Sequence, residues 1–149
     1  MSHVTSIEVV ILDLASLKAA CADLGLEFKE NQTKYKWYGS HVGDYPVPAG
    51  FKVDDLGKCL HAIGIPNNKD AYEIGVVKNP NGKGYVLLWD FWAGGMGLQQ
   101  VVGKDCKNLT HAYKTNQTVK SFQKRGFTVA KKIVNPKTKA VQLVLRKQK

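Results

Sequence analysis

The chain has 149 residues, 44% of them hydrophobic and 23% charged, which is the size and composition of one globular domain able to bury a core without staples. Lys and Arg number 22 against 12 Asp and Glu, a net charge of +10, and no apolar run approaches the ~18 residues of a membrane span. A disordered chain and a membrane-spanning helix are thereby excluded, and with no Lys or Arg ahead of the early run Val9-Val10-Ile11-Leu12 a secretory leader is not expected.

Residues 4–12 alternate, with Ile7, Val9 and Ile11 on one side, and predict a strand. Asp13 is a predicted N-cap. Leu14, Leu17, Cys21 and Leu24 then form one helical stripe closed by Gly25, which makes Cys21 a core residue. Residues 26–30 and 33–38 read as two short strands joined by Asn31-Gln32. Between 39 and 57, Gly39, Gly43, Pro46, Pro48 and Gly50 break every periodicity. This long loop, which carries His41, Asp44, Tyr45 and Phe51, reads either as a lid over a pocket or as a passive surface excursion.

Strands are predicted at 58–63, 71–78 and 84–92, the last two flanking a turn that contains Asn81-Gly82. The glycine-rich stretch Ala93-Gly94-Gly95-Met96-Gly97 ends this segment. A second helix is predicted over 108–125, with Leu109, Ala112, Tyr113, Asn116, Val119 and Phe122 inward, Lys120, Lys124 and Arg125 in its last turn and Gly126 as C-cap. A closing hairpin sets Phe127, Val129 and Ile133 with Val141, Leu143 and Leu145, and 147–149 form a basic tail. The order predicts a single α+β domain over 1–149, with a largely antiparallel sheet and two main helices on one face. A helix followed by a hairpin at each end hints at ferredoxin-like halves.

Charge is polarised along the chain. Residues 1–57 carry five Lys against eight acids, a net of −3, whereas residues 104–149 carry 13 bases against Asp105 alone. Such a gradient points to an anionic partner, whether nucleic acid, nucleotide or an anionic surface, or else to a solvated, solubilising face. The three cysteines, Cys21, Cys59 and Cys106, are odd in number and widely spaced, which fits a reducing cytoplasm better than a disulfide framework. The Asn-x-Thr triplets at Asn31, Asn108 and Asn116 are idle without a secretory route.

Several groupings could carry chemistry. Tyr85, Leu87, Trp89 and Phe91 share one face of the third predicted strand of this group, and Val86, Leu88, Asp90 and Trp92 the other. Asp90 on an apolar face is either a polar anchor at a pocket mouth, a general base, or a structural carboxylate fed by backbone N–H groups of the Gly94-Gly95 turn. That turn could present N–H groups to a phosphate, although it is neither a dinucleotide fingerprint nor a Walker A loop. Trp89, Phe91 and Trp92 beside it suit a base ring, or the core. Cys59 and His61, two apart on one strand, are a weak pair for a metal or a thiol–imidazole dyad, and no metal-ligand spacing supports a metal site. Cys106, between Lys104 and Lys107, has neighbours that would lower a thiol pKa. The basic face carries Lys114, Lys120, Lys124, Arg125, Lys131, Lys132, Lys137 and Lys139. Because Lys dominates, nucleic-acid binding there should be salt-sensitive and weakly sequence-specific.

A set of segments in this order resembles a known family. They are Met1-Ser2-His3 before a strand, Ala71-Tyr72-Glu73-Ile74-Gly75-Val76, and Gly84-Tyr85-Val86-Leu87-Leu88-Trp89-Asp90-Phe91-Trp92 with Gly94. Leu109-Thr110-His111-Ala112-Tyr113, Gly126-Phe127-Thr128-Val129 and Val141-Gln142-Leu143-Val144-Leu145-Arg146 complete the set. Together they resemble the Ycf35-like family, a domain of unknown function (DUF1257) found in plastids, cyanobacteria, other bacteria and tailed phages. The match is tightest from about residue 71 onward. The resemblance implies a small intracellular domain of a kind that viruses also carry. It brings no catalytic residues, because the family has no settled activity.

The sequence reading favours a non-enzymatic binding protein, without cofactor or metal, for a phosphate-bearing small molecule derived from a nucleotide. In a phage setting it would sequester a host signal in the host cytoplasm. Its expected ligand residues are Trp89, Asp90, Trp92, Gly94, Gly95, Tyr113, Lys120, Lys124 and Arg125. The alternative is a weakly specific RNA- or DNA-binding protein that uses the C-terminal basic face. A nucleotide or phosphodiester hydrolase using Asp90 or His61, and an interaction module for a larger acidic partner, complete the set. No membrane partner is expected, and a homo-oligomer is left open.

Overall fold

Apolar alternation in Val4–Ile11 forms strand β1, whose Ile7 and Ile11 are buried. Its chain turns into helix α1 (Leu14–Asp23) at Asp13, which accepts hydrogen bonds from the Ala15 N–H at 3.1 Å and the Ser16 hydroxyl at 2.7 Å. Of the predicted stripe Leu17, Cys21 and Leu24 are buried and Leu14 is half-buried, while Ala20 joins the buried side of α1. Gly25, at φ +70, lets the chain leave the helix. The computed structural model describes residues 2–137 and 141–147, so Lys139, Gln148 and Lys149 of the predicted basic face and tail lie outside the described residues.

Strands β2 (Glu27–Lys29), β3 (His61–Gly64), β4 (Ile74–Lys78) and β5 (Tyr85–Asp90) join β1 in one antiparallel sheet of order β1-β5-β4-β3-β2. Short segments follow β5: α2 (Ala93–Met96), α3 (Gln99–Val102) and a 3-10 turn at Lys104–Cys106. The long helix α4 (Lys107–Lys124) comes next, and β6 (Phe127–Val134) and β7 (Val141–Lys147) form a separate two-stranded ribbon. The molecule is therefore a single α+β fold with an antiparallel sheet, and both main helices pack on the same face. On that face Leu17, Cys21, Leu109, Ala112 and Tyr113 meet Ile7, Ile63, Val76, Leu87 and Trp89. Ferredoxin-like halves are absent from this topology, because the closing hairpin never joins the main sheet.

The other face of the sheet is covered by chain without regular structure. Tyr35, Leu56 and Cys59, flanked by Trp37, Val47 and Phe51, pack on Val4, Ala62, Val77, Val86 and Leu88. The 39–57 segment is thus the third layer of the domain. Residues 33–38 do not form the predicted strand. Their backbone pairs in the ladder sense only at Lys34 with Lys58, and the remaining groups go elsewhere. That bridge is made by the Tyr35 N–H donating to the Gly57 carbonyl at 3.0 Å and the Cys59 N–H donating to the Thr33 carbonyl at 2.9 Å, whereas the Lys36 N–H donates to the Glu73 carboxylate at 2.9 Å. The alternation of Tyr35 and Trp37 is real, but it serves packing onto the sheet rather than pairing within it.

Candidate functional site

The end of β5 is where the sequence concentrates aromatic and acidic chemistry. Asp90 is fully buried. One carboxylate oxygen accepts the N–H groups of His3 at 3.0 Å and Trp92 at 3.1 Å, and the other accepts that of Tyr38 at 3.1 Å. Three chain segments are tied to one side chain in this way, and its lone pairs are directed at backbone rather than at a cleft. The donors differ from those expected, since the Gly94 and Gly95 N–H groups go instead to the Phe91 and Trp92 carbonyls, both at 2.9 Å. Those two amides are therefore spent inside the turn rather than offered to a phosphate.

The turn itself is left-handed. Ala93, Gly94, Gly95, Met96 and Gly97 have φ values of 50, 64, 64, 55 and 105°. Glycine adopts this region freely, while Ala93 and Met96 pay a steric cost there. Gly95 is needed twice, because a Cβ on it would also come within 3.3 Å of the Trp89 ring. Trp89 is buried in the core, and Trp92 is half-buried with Tyr38 edge-on at 6.1 Å. The loop does reach this end of the sheet: Tyr45 packs at 5.2 Å from Phe91 and 5.3 Å from His3, whose imidazole is 2.9 Å from Asp44.

Tyr113, Lys120, Lys124 and Arg125 lie apart from that cluster. The Tyr113 hydroxyl accepts the N–H groups of Leu12 at 3.0 Å and Asp13 at 3.3 Å, fixing the corner between β1 and α1. Lys120 reaches the same corner, 2.9 Å from Asp13. The Ser16 hydroxyl bond and then Lys120 hold the Asp13 carboxyl down at about 2. Lys124 and Arg125 stand at the far end of α4, with the guanidinium 5.1 Å over Phe122. The expected ligand residues thus divide among a buried strand end, a helix corner and an exposed helix terminus.

The thiols and His61 are likewise placed by packing. All three cysteines are free and buried. Burial pushes the Cys21 thiol up to about 12, and burial with the Glu73 charge does the same for Cys59. Cys106 is raised, not lowered: it is fully buried, and desolvation, with the neighbouring Asp105 charge, disfavours its thiolate. Cys59 precedes β3 and packs on the loop-covered face, with its thiol on the Gln32 carbonyl at 3.1 Å. His61 lies between Phe28 and Tyr85 and accepts the Asn31 N–H at 2.9 Å, so the two do not form a dyad. Among the described residues no group of three or more His, Cys, Asp or Glu is placed to hold a metal ion.

Two further features lie away from the end of β5; the first escapes a reading of the sequence, and the charge of the second is legible in it. Glu73 is buried at the floor of a polar cleft of ≈ 490 Å³, where it takes Lys29 at 2.7 Å, Gln32 at 3.0 Å and the Lys36 N–H. A lone carboxylate in the apolar run 71–77 is the signal that could have found it. Lys36 and Lys69 rim this cleft, but Glu73 offsets Lys29 within it.

The second feature is the arm formed by the outer half of α4 and the β6–β7 ribbon. From Cys106 to the C-terminus the sequence has no Asp or Glu. Past Tyr113 no side chain of α4 is fully buried. Lys120 and Lys132 are paired back to Asp13 and Asp23. Among the described residues Lys114, Lys124, Arg125, Lys131, Lys137, Arg146 and Lys147 are exposed and make no ion pair. A groove of ≈ 410 Å³ runs between helix and ribbon, lined by His111, Lys114, Thr118, Val141 and Leu143. No helix among the described residues is long and apolar enough to cross a membrane. Comparisons of the chain with known families, with curated proteins and with solved structures find no match.

Proposed function

We propose that the protein is a non-enzymatic nucleic-acid-binding protein that grips phosphate backbone through the α4–ribbon arm. The observation that carries this reading is the arm's charge: exposed, unpaired cations on two adjoining elements in a stretch of 44 residues without an acid. A polyanion neutralises several of these cations at once and releases its counterions, a gain that a single small phosphate ester does not match. Kinship with the Ycf35-like family belongs to the same proposal and rests on the motifs quoted above.

The nucleotide-derived small molecule is the second reading, and one observation favours it. The cleft above Glu73 is polar and concave and has Lys36 and Lys69 at its rim. The arm is preferred because Glu73 faces any anion entering that cleft.

Fluorescence anisotropy with a labelled oligonucleotide over a salt series tests the reading. The expected result is a linear fall of log affinity with log salt whose slope reports several phosphate contacts. Lys114→Glu combined with Lys124→Glu should lower affinity at every sequence and flatten the slope. Saturation by a mononucleotide with little salt dependence would favour the cleft instead.

A further inference from the structure

We propose that the outward face of the β6–β7 ribbon enters the major groove of duplex DNA, so that B-form DNA is the polymer the arm prefers. This rests on the nucleic-acid reading above and adds its substrate class.

The register assigns the faces. Val129 is opposite Leu145, Lys132 opposite Leu143 and Val134 opposite Val141, and residues directly opposite share a face. This set looks inward: Val129, Val134, Val141, Leu143 and Leu145 are half-buried, Val141 and Leu143 line the groove against α4, and Lys132 binds Asp23 at 2.6 Å. The opposite face carries Thr128 with Arg146, Lys131 with Val144, and Ile133 with Gln142. A register shift between Val129 and Lys131, at Ala130, turns Lys131 and Ile133 outward.

That outward face is unusual for a surface. Ile133 and Val144 are 41% and 46% exposed, and among the described residues no other element covers them. Around them stand two cations, an amide and a hydroxyl. The combination matches what base edges in a major groove offer. Arg suits guanine, Gln suits adenine, and branched apolar groups suit the thymine methyl. A two-stranded ribbon fits the ~12 Å major groove of B-form DNA but not the deep, narrow one of A-form RNA. The 8 residues of β6 give the ribbon a length of about 26 Å, enough to follow the groove while Lys114 and Lys124 remain for the flanking phosphates.

The test compares a DNA duplex of about two helical turns with the RNA duplex and the single DNA strand of the same sequence, at equal salt. DNA duplex should bind about tenfold or more tightly than RNA duplex. Dimethyl sulfate should find guanine N7, a major-groove atom, protected. Lys131→Ala with Arg146→Ala should erase the DNA-over-RNA preference, whereas Lys124→Ala with Arg125→Ala should weaken both duplexes alike. All four side chains are exposed, and tryptophan fluorescence will verify that each variant is folded. Equal affinity for the two duplexes, or unprotected N7, overturns the groove proposal while leaving the nucleic-acid reading standing. Absence of binding to all three polymers at low salt overturns both.

Discussion

The Lys132 ammonium lies 2.6 Å from the Asp23 carboxylate, at the C-terminal end of α1, and the same carboxylate oxygen accepts the Asn116 side-chain amide at 2.9 Å. One acid thus fastens both α4 and β6 to the main body. Asp23→Ala removes the fastening without touching the sheet. The pair is partly exposed, so the loss should be about 1 kcal/mol, or about fivefold in local opening. Hydrogen exchange should show faster amides in β6 and β7 and unchanged amides in β3, β4 and β5. Uniform acceleration across the chain would mean that the ribbon is not a separately opening unit.

Asp90 offers a sharper contrast between scaffold and chemistry. Its replacement by Ala leaves the N–H groups of His3, Tyr38 and Trp92 without their acceptor, and the expected loss is about 3 kcal/mol, about 1 kcal/mol for each part-buried bond. Asn keeps one acceptor but turns an amide donor toward another donor, so it should cost about 2 kcal/mol. Urea unfolding measures both. An unchanged midpoint for Asp90→Ala would return the residue to the list of candidate bases.

Much of this architecture is legible in the sequence because it obeys local periodicity. The α1 stripe of Leu17 and Cys21, the 79–83 turn and Leu109, Ala112 and Tyr113 on the inner face of α4 follow from spacing alone, whereas Asn116, Val119 and Phe122 of the same predicted stripe are only half-buried. What is not legible arises where long-range contacts override it. The closing hairpin reads as Val129 and Ile133 on one side, yet the extra residue Ala130 puts them on opposite faces. Residues 33–38 alternate like a strand, but Glu73, far along the chain, takes the Lys36 N–H. The candidate site shows the same division. Asp90 stands out as a polar residue in an apolar strand, but its donors come from positions 3 and 38 as well as 92. The basic arm is visible in the charge count, whereas the outward set Lys131, Ile133, Gln142, Val144 and Arg146 depends on a register that no local pattern reveals.

The covering layer over the second sheet face rests on one close approach. A Cβ on Gly75 would fall 2.3 Å from the Tyr35 ring, so β4 must be bare there for Tyr35 to lie flat. Gly75→Ala should cost about 1–3 kcal/mol through overpacking. Tyr35→Leu should lose ring packing of its own, but the double variant should be less destabilised than the two losses added together. Strict additivity would show that the two residues do not touch.

The buried thiols set the alkaline limit of the fold. Cys21 and Cys59 are held up at about 12 from an ordinary 9.0, each chiefly by burial, and Tyr35 at about 12 from 10.0 for the same reason. The protonated forms are therefore favoured by the folded state. Above pH 9 the unfolded chain loses these protons and the folded chain keeps them, so stability is complete below that pH and declines up to about 12. The urea midpoint should stay level to about pH 9 and then fall, and Cys21→Ala should reduce the slope of that fall. A thiol reagent at pH 8 should label the native protein slowly and all three cysteines at once in urea. Rapid native labelling of Cys106 would contradict its burial and restore the low-pKa thiol that Lys104 and Lys107 suggest in the sequence.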